Sequence, residues 1–153
     1  PLVFMRENTR IKTSSVSSAV ACGVMCNEMK NIYSLAKDVK KIAAIQEATL
    51  NTDKYGVSTN HGLFGSNEWW NSISSGSLET RTVEGEISRV YMTGHNDFPQ
   101  FDIDSDGVVT SWIREGKEKL YLKGSQIKLE YVLTKNRFDH TESPTIINVY
   151  VSK

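Results

Sequence analysis

The stretch Phe98–Arg114, FPQFDIDSDGVVTSWIR, constrains this chain more than any other, because it must turn back on itself as a β-hairpin. Aromatic and β-branched residues flank Asp106-Gly107, a dipeptide suited to tight turns. Two loops compete for it. With Asp106-Gly107 alone as the loop, Ser105 pairs with Val108. Phe101, Ile103 and Thr110 then share one face, against Asp102, Asp104, Val109 and Ile113 on the other. With Ser105-Asp106-Gly107 as a three-residue loop, Asp104 pairs with Val108, and Gly107 takes the left-handed position of a bulge, where the lack of a Cβ helps. Phe101, Ile103, Val109, Ser111 and Ile113 then face one way, and Gln100, Asp102, Asp104, Thr110, Trp112 and Arg114 the other. A one-residue slip turns every side chain over. The hydrophobic pattern selects the three-residue loop, which sets Trp112 and Arg114 on the polar face.

The same residues contain D-x-D-x-D-G at Asp102, Asp104, Asp106 and Gly107, the opening of an EF-hand calcium loop. That loop needs a bidentate carboxylate at its twelfth position, which Ile113 occupies, and Glu115 comes two residues late. It also needs flanking helices where this sequence has strand formers. The aspartates read as a solvated hairpin tip, and no metal site is expected.

Eighteen Lys and Arg balance eighteen Asp and Glu in 153 residues, so no global charge draws the chain to nucleic acid or to a membrane. The balance is uneven along the chain. Residues 1–50 hold seven basic and four acidic side chains, and residues 51–100 hold three and six. No apolar run approaches the roughly 20 residues of a membrane helix. Ala19-Val20-Ala21-Cys22 follows a stretch too polar for a signal core, so a cytoplasmic location is the expectation.

Three divisions follow in order: an arm and helical segment over 1–50, a linker with a short tryptophan-bearing helix over 51–80, and a β-domain over 81–153. From Ser17 to Leu50 the residues Cys22, Met25, Met29, Ile32, Ala36, Val39 and Ala43 recur every three or four positions without a proline. This predicts a long helix or helical hairpin, with a seam that could join subunits into a homo-oligomer through residues 17–50. Gly56, Gly62 and Gly65 mark a loop, after which Ser66 or Asn67 caps a helix over Glu68–Ser74. Adjacent Trp69 and Trp70 lie about 100° apart on that helix, so one is buried and the other meets a neighbour. Strands are predicted over Arg81–Met92, with a bulge at Gly85 or Ser88-Arg89, over the two arms of the hairpin, over Leu120–Leu133 bent at Gly124, and over Thr145–Val151.

Five strands without room for parallel crossovers predict an α+β chain whose second half is a small antiparallel barrel. GEISRVYM, FPQFDI, VVTSWIR, YLKGSQIKLEYVL and TIINVYV, over about residues 84–151, resemble an OB-fold in architecture, with a curved first strand and a hairpin of the second and third. The resemblance implies a non-catalytic binding module whose outer barrel face takes single-stranded nucleic acid or another oligomeric ligand. On that face it puts Trp112 as a stacking group and Arg114 as a cation, extended by Lys128, Lys135, Arg137 and Phe138. The alternative is an assembly protein that oligomerises through its long helix. No catalytic set competes with these. His61, His95 and His140 lie in polar loops without ligand spacing, Cys22 and Cys26 lack a second pair, and no glycine-rich loop fits a phosphate or other cofactor.

Overall fold

The computed structural model describes residues 28–94 and 97–152. The expected N-terminal arm, the expected helix up to residue 27 with Cys22 and Cys26, and His95 lie outside the described residues.

Six antiparallel strands form one sheet: β1 (Lys30–Ser34), β2 (Thr80–Met92), β3 (Pro99–Ser105), β4 (Val108–Ile113), β5 (Gln126–Lys135) and β6 (Glu142–Val151). Their spatial order is β1-β6-β5-β2-β3-β4, which leaves β1 and β4 as edges and the sheet open. Two helices accompany it, α1 (Val39–Asn51) and α2 (Asn67–Ser75). The expected long helix with a five-stranded OB-like barrel is therefore wrong on both counts. Lys30–Ser34, placed in the helix by its spacing of three and four, is a strand that pairs with the end of β6. Ile32 and Tyr33 suit a pleated surface, and Tyr33 is buried. Asp38 then starts α1, its carboxylate accepting the Lys41 N–H at 3.2 Å. The helix turns Ile42 and Ile45 toward the core, while Val39 and Ala43 of the expected seam are exposed.

The sheet curls without closing. Register shifts place an extra residue at Ile32 in β1, Ser88 in β2 and Ile147 in β6. Each such bulge bends its strand and increases the local twist. The curl is deep enough that Trp112 on β4 meets Tyr131 on β5, ring centroids 4.9 Å apart, although β2 and β3 lie between those strands. A flat sheet would hold them about 14 Å apart at about 4.8 Å per strand. Inside the curl lie Ile87, Phe101, Ile103, Ile127, Leu129 and Val149, all completely or nearly completely buried. Tyr121 packs on Phe101 from the connection after β4.

The tryptophan helix forms much as its sequence indicates. Ser66 caps it by accepting the Trp69 N–H at 3.2 Å, and Gly76 ends it in the left-handed conformation. Trp69 is buried against Phe64, and Trp70 meets it edge-on while staying half-buried. The loop before α2 lies close to α1. At Gly65 an added Cβ would come within 2.4 Å of Ile42, so only glycine fits there. Burial within β5 changes parity, from Ile127 and Leu129 to Val132 and Thr134. Past Glu130 the second half of the strand is covered by the segment around Val57, which bridges to Asn136, and Ser58 N–H donates to the Lys135 carbonyl. The change of parity falls at the β6 bulge opposite Glu130 and Tyr131. Gly124, expected to bend a strand, sits in the turn before β5 instead.

The hairpin corrects the register. Ser105 pairs with Val108 and Phe101 with Trp112, so the loop is Asp106-Gly107 alone. Both residues have positive φ, 51° and 91°, the requirement of a type I′ turn whose twist matches that of the strands. The Asp104 carboxylate accepts the Gly107 N–H at 2.7 Å and secures it. Burying one indole, at about 25 cal/mol per Å² over about 200 Å², is worth about 5 kcal/mol. Two aliphatic side chains at about 1.5–3 kcal/mol each come to nearly the same sum. Apolar area thus favours neither register, and the turn decides. Trp112 faces the core at 9% exposure, while Val109 and Ile113 lie outside at 55% and 43%.

At the other side of the curl, burial and the nearby Glu115 carboxylate push the Tyr33 and Tyr121 hydroxyls well above the ordinary tyrosine range. Tyr33 donates to Asp38 at 3.0 Å and Tyr121 to the Glu115 carbonyl at 2.8 Å, so both stay protonated donors that tie β1 and the β4–β5 connection to the core.

Candidate functional site

Residues directly opposite one another across antiparallel strands share a face. On the outer side of β2, β3 and β4 this gives three rows: Tyr91, Gln100 and Ile113; Arg89, Asp102 and Ser111; Glu86, Asp104 and Val109. The bulge at Ser88 makes this arrangement possible. Without the extra residue Arg89 would point the same way as buried Ile87, and the bulge turns Arg89 and Tyr91 outward, over Asp102.

Asp102 is the fixed point of the face. It is buried at 7% exposure and accepts three side-chain hydrogen bonds, from Arg89 Nε at 3.1 Å, Tyr91 Oη at 3.0 Å and Ser111 Oγ at 2.8 Å. The Arg89 guanidinium also lies over the Tyr91 ring, 3.8 Å from its centroid, with its side chain 62% exposed. A cation is thereby held in one orientation on an open surface, its remaining N–H groups turned to whatever binds there. Around it the charge is acidic. From Glu84 to Ile113 the chain carries six carboxylates against Arg89 as its one Lys or Arg. Val109 and Ile113 add exposed apolar area to the same face. Tyrosine and arginine beside apolar side chains, within a rim of charge, make the composition of a protein-binding hot spot.

The residues chosen from sequence do not assemble. Trp112 lies inside the curl, its Nε1 donating to Thr110 Oγ1 at 2.8 Å. Arg114 is half-buried and donates to the Tyr91 carbonyl at 3.1 Å, which fixes the end of β2. Lys128 is on the outer face, opposite Glu84 and Tyr150. Lys135 and Arg137 lie far along β5 and beyond it, lining a shallow cavity of about 310 Å³ with Ser58, Thr59, Asn60 and His140. Arg137 is occupied there by the Thr49 and Thr52 carbonyls, and Lys135 pairs with Glu142 at 3.8 Å. Phe138 projects from the next loop, 65% exposed. Sequence reasoning missed Arg89, Tyr91 and Ser111. The alternation of Arg89 and Tyr91 is visible in the chain, but their meeting with Asp102 follows only from the register.

The described residues offer little for chemistry. No three His, Cys, Asp or Glu among them are placed to hold a metal ion. Asp102 and Asp104, the first two residues of the calcium-like motif, are engaged in the outer-face cluster and in the turn. A cavity of about 300 Å³ is lined by Val57, Ser58, His61, Trp69, Leu78 and Thr134, among others. No helix among the described residues is long and apolar enough to cross a membrane.

A protein-family model described as immunity protein RhsI2 matches residues 29–150. No curated protein matches the chain. The family match overturns both expected functions, the module for single-stranded nucleic acid and the assembly protein joined through residues 17–50. It runs from β1 almost to the end of β6, through all six strands and both helices. The chain belongs to the immunity protein RhsI2 family.

Proposed function

We propose that this chain neutralises an Rhs toxin by binding it, and that the toxin seats on the outer face of β2, β3 and β4. Membership in an immunity-protein family carries the reading. The location rests on the face itself, a rigid Arg89–Asp102–Tyr91–Ser111 cluster ringed by carboxylates and exposed aliphatics. The toxin surface that complements it is basic. Opposite potentials speed encounter and exclude wrong partners, and their effect weakens as salt screens them.

Mixing the chain with its cognate Rhs toxin is expected to give a stable complex on size exclusion and to abolish toxin activity. The association rate should fall at least tenfold between roughly 50 and 500 mM salt. The double variant Glu84→Lys, Glu86→Lys should lose most of that rate while keeping its fold. Absence of any complex would sink the reading. A salt-independent rate, unchanged in the double variant, would move the toxin to another surface.

A further inference from the structure

β4 is an edge strand, and its free side can be worked out atom by atom. Arg114 N–H donates to the Pro99 carbonyl at 3.0 Å, which makes 99 and 114 a hydrogen-bonded pair. Such pairs alternate along an antiparallel ladder. Counting back, 101/112, 103/110 and 105/108 exchange bonds with β3, while 100/113, 102/111 and 104/109 do not. The amide N–H and C=O groups of Val109, Ser111 and Ile113 therefore point away from the sheet, and no strand among the described residues pairs with them. The side chains of those same residues stand exposed on the outer face.

Natural sheets blunt such edges with lysine, proline or a bulge. The opposite edge does so, since β1 begins at Lys30 and bulges at Ile32. β4 has none of these devices over VVTSWI. We propose that β4 receives an extended segment of the toxin as a seventh strand, and this rests on the toxin-neutralising reading above. The segment supplies backbone partners to Val109, Ser111 and Ile113, alternate apolar side chains against Val109 and Ile113, and a cation toward Asp104 and Asp106. Main-chain bonds provide the binding and the alternate side chains provide the choice of partner. Membership in an immunity-protein family and the carboxylates of Asp104 and Asp106 beside the edge favour a basic toxin strand as the occupant.

Hydrogen exchange on the full chain, free and with its cognate Rhs toxin, tests this together with two pairs of variants. Val109→Pro and Ile113→Pro each remove an outward N–H that β3 does not use, a change edge strands accommodate. Val109→Thr and Ile113→Thr keep the backbone. The amides of Val109, Ser111 and Ile113 should exchange at least tenfold more slowly in the complex. Each proline variant should bind at least tenfold more weakly than the threonine variant at the same position, which keeps the N–H. Toxin binding with those amides still exchanging as in the free chain overturns the added strand and leaves neutralisation standing. Amides already protected in the free monomer, or protected only as concentration rises without toxin, overturn it in favour of residues 1–27 or of a second copy. A chain that does not bind the toxin at all overturns the reading beneath it.

Discussion

Arg89→Ala is expected to weaken toxin binding by about 30-fold or more, the effect of losing an interface hot spot, while lowering the urea midpoint less than Asp102→Ala does. The Arg89 side chain is mostly exposed, and Asp102 keeps Tyr91 and Ser111 as donors. Asp102→Ala should behave differently. It strips a buried acceptor from Arg89, Tyr91 and Ser111 at once. Hydrogen bonds to a charged group are worth about 1.5–3 kcal/mol, and Tyr91 and Ser111 would be left with donors turned toward a void. A stability loss of about 3 kcal/mol is expected, with a drop in affinity at least as large as that of Arg89→Ala. Denaturation and calorimetric titration on the two variants separate the roles, Arg89 as the contact and Asp102 as its anchor. Equal affinity of Arg89→Ala and the parent would remove this face from the interface.

Trp112→Ala is the second large effect, and it falls on stability. The indole is buried, packed at a tilt against Tyr131 and hydrogen-bonded to Thr110. Truncating a buried tryptophan costs about 3–5 kcal/mol through lost contacts and the cavity left behind. That is roughly a fifth to the whole of the typical stability of a domain, about 5–15 kcal/mol. The urea midpoint should move down by more than about 1 M at the slopes usual for small proteins. A midpoint within about 0.3 M of the parent would place the ring outside the core and reopen its role as a stacking group. Any loss of toxin binding should match the unfolded fraction, because the ring faces away from the outer surface.

How far the chain could be read from its letters depended on whether local signals or pairing decided each element. The Ser66 cap, the apolar Trp69 and Gly76 define α2 within one short window, and that helix was legible. So were the strand character of 80–92, 99–105, 108–113 and 126–135 and, as one of two alternatives with Gly85, the bulge at Ser88-Arg89. Lys30–Ser34 was not, since its two large side chains fit a helical stripe as well as a strand, and only β6, over a hundred residues away, settles the choice. The hairpin register was misjudged because pattern counted Val109 and Ile113 as core. An edge strand can leave such residues for a partner, and Trp112 alone supplies the buried area. The outer-face cluster was hidden for the same reason. Arg89, Asp102 and Ser111 lie on three strands, and their alignment depends on two registers and one bulge.

The pairing of β1 with β6 has a consequence for the order of folding. It joins Lys30 to Val151, so its formation closes nearly the whole chain into one loop. Closing about 120 residues costs about 4 kcal/mol of chain entropy, against well under 1 kcal/mol for the two-residue turn of the hairpin. The local meander of β2, β3 and β4 is therefore expected to form early, and the first strand in sequence to dock last and to detach first. In pulse-labelled refolding, amides of β3 and β4 should gain protection before those of 30–34, and simultaneous protection would contradict this order. The meander proposed to face the toxin would then exist before β1 and β6 have met, and a newly made molecule would not have to finish folding before it could begin to bind.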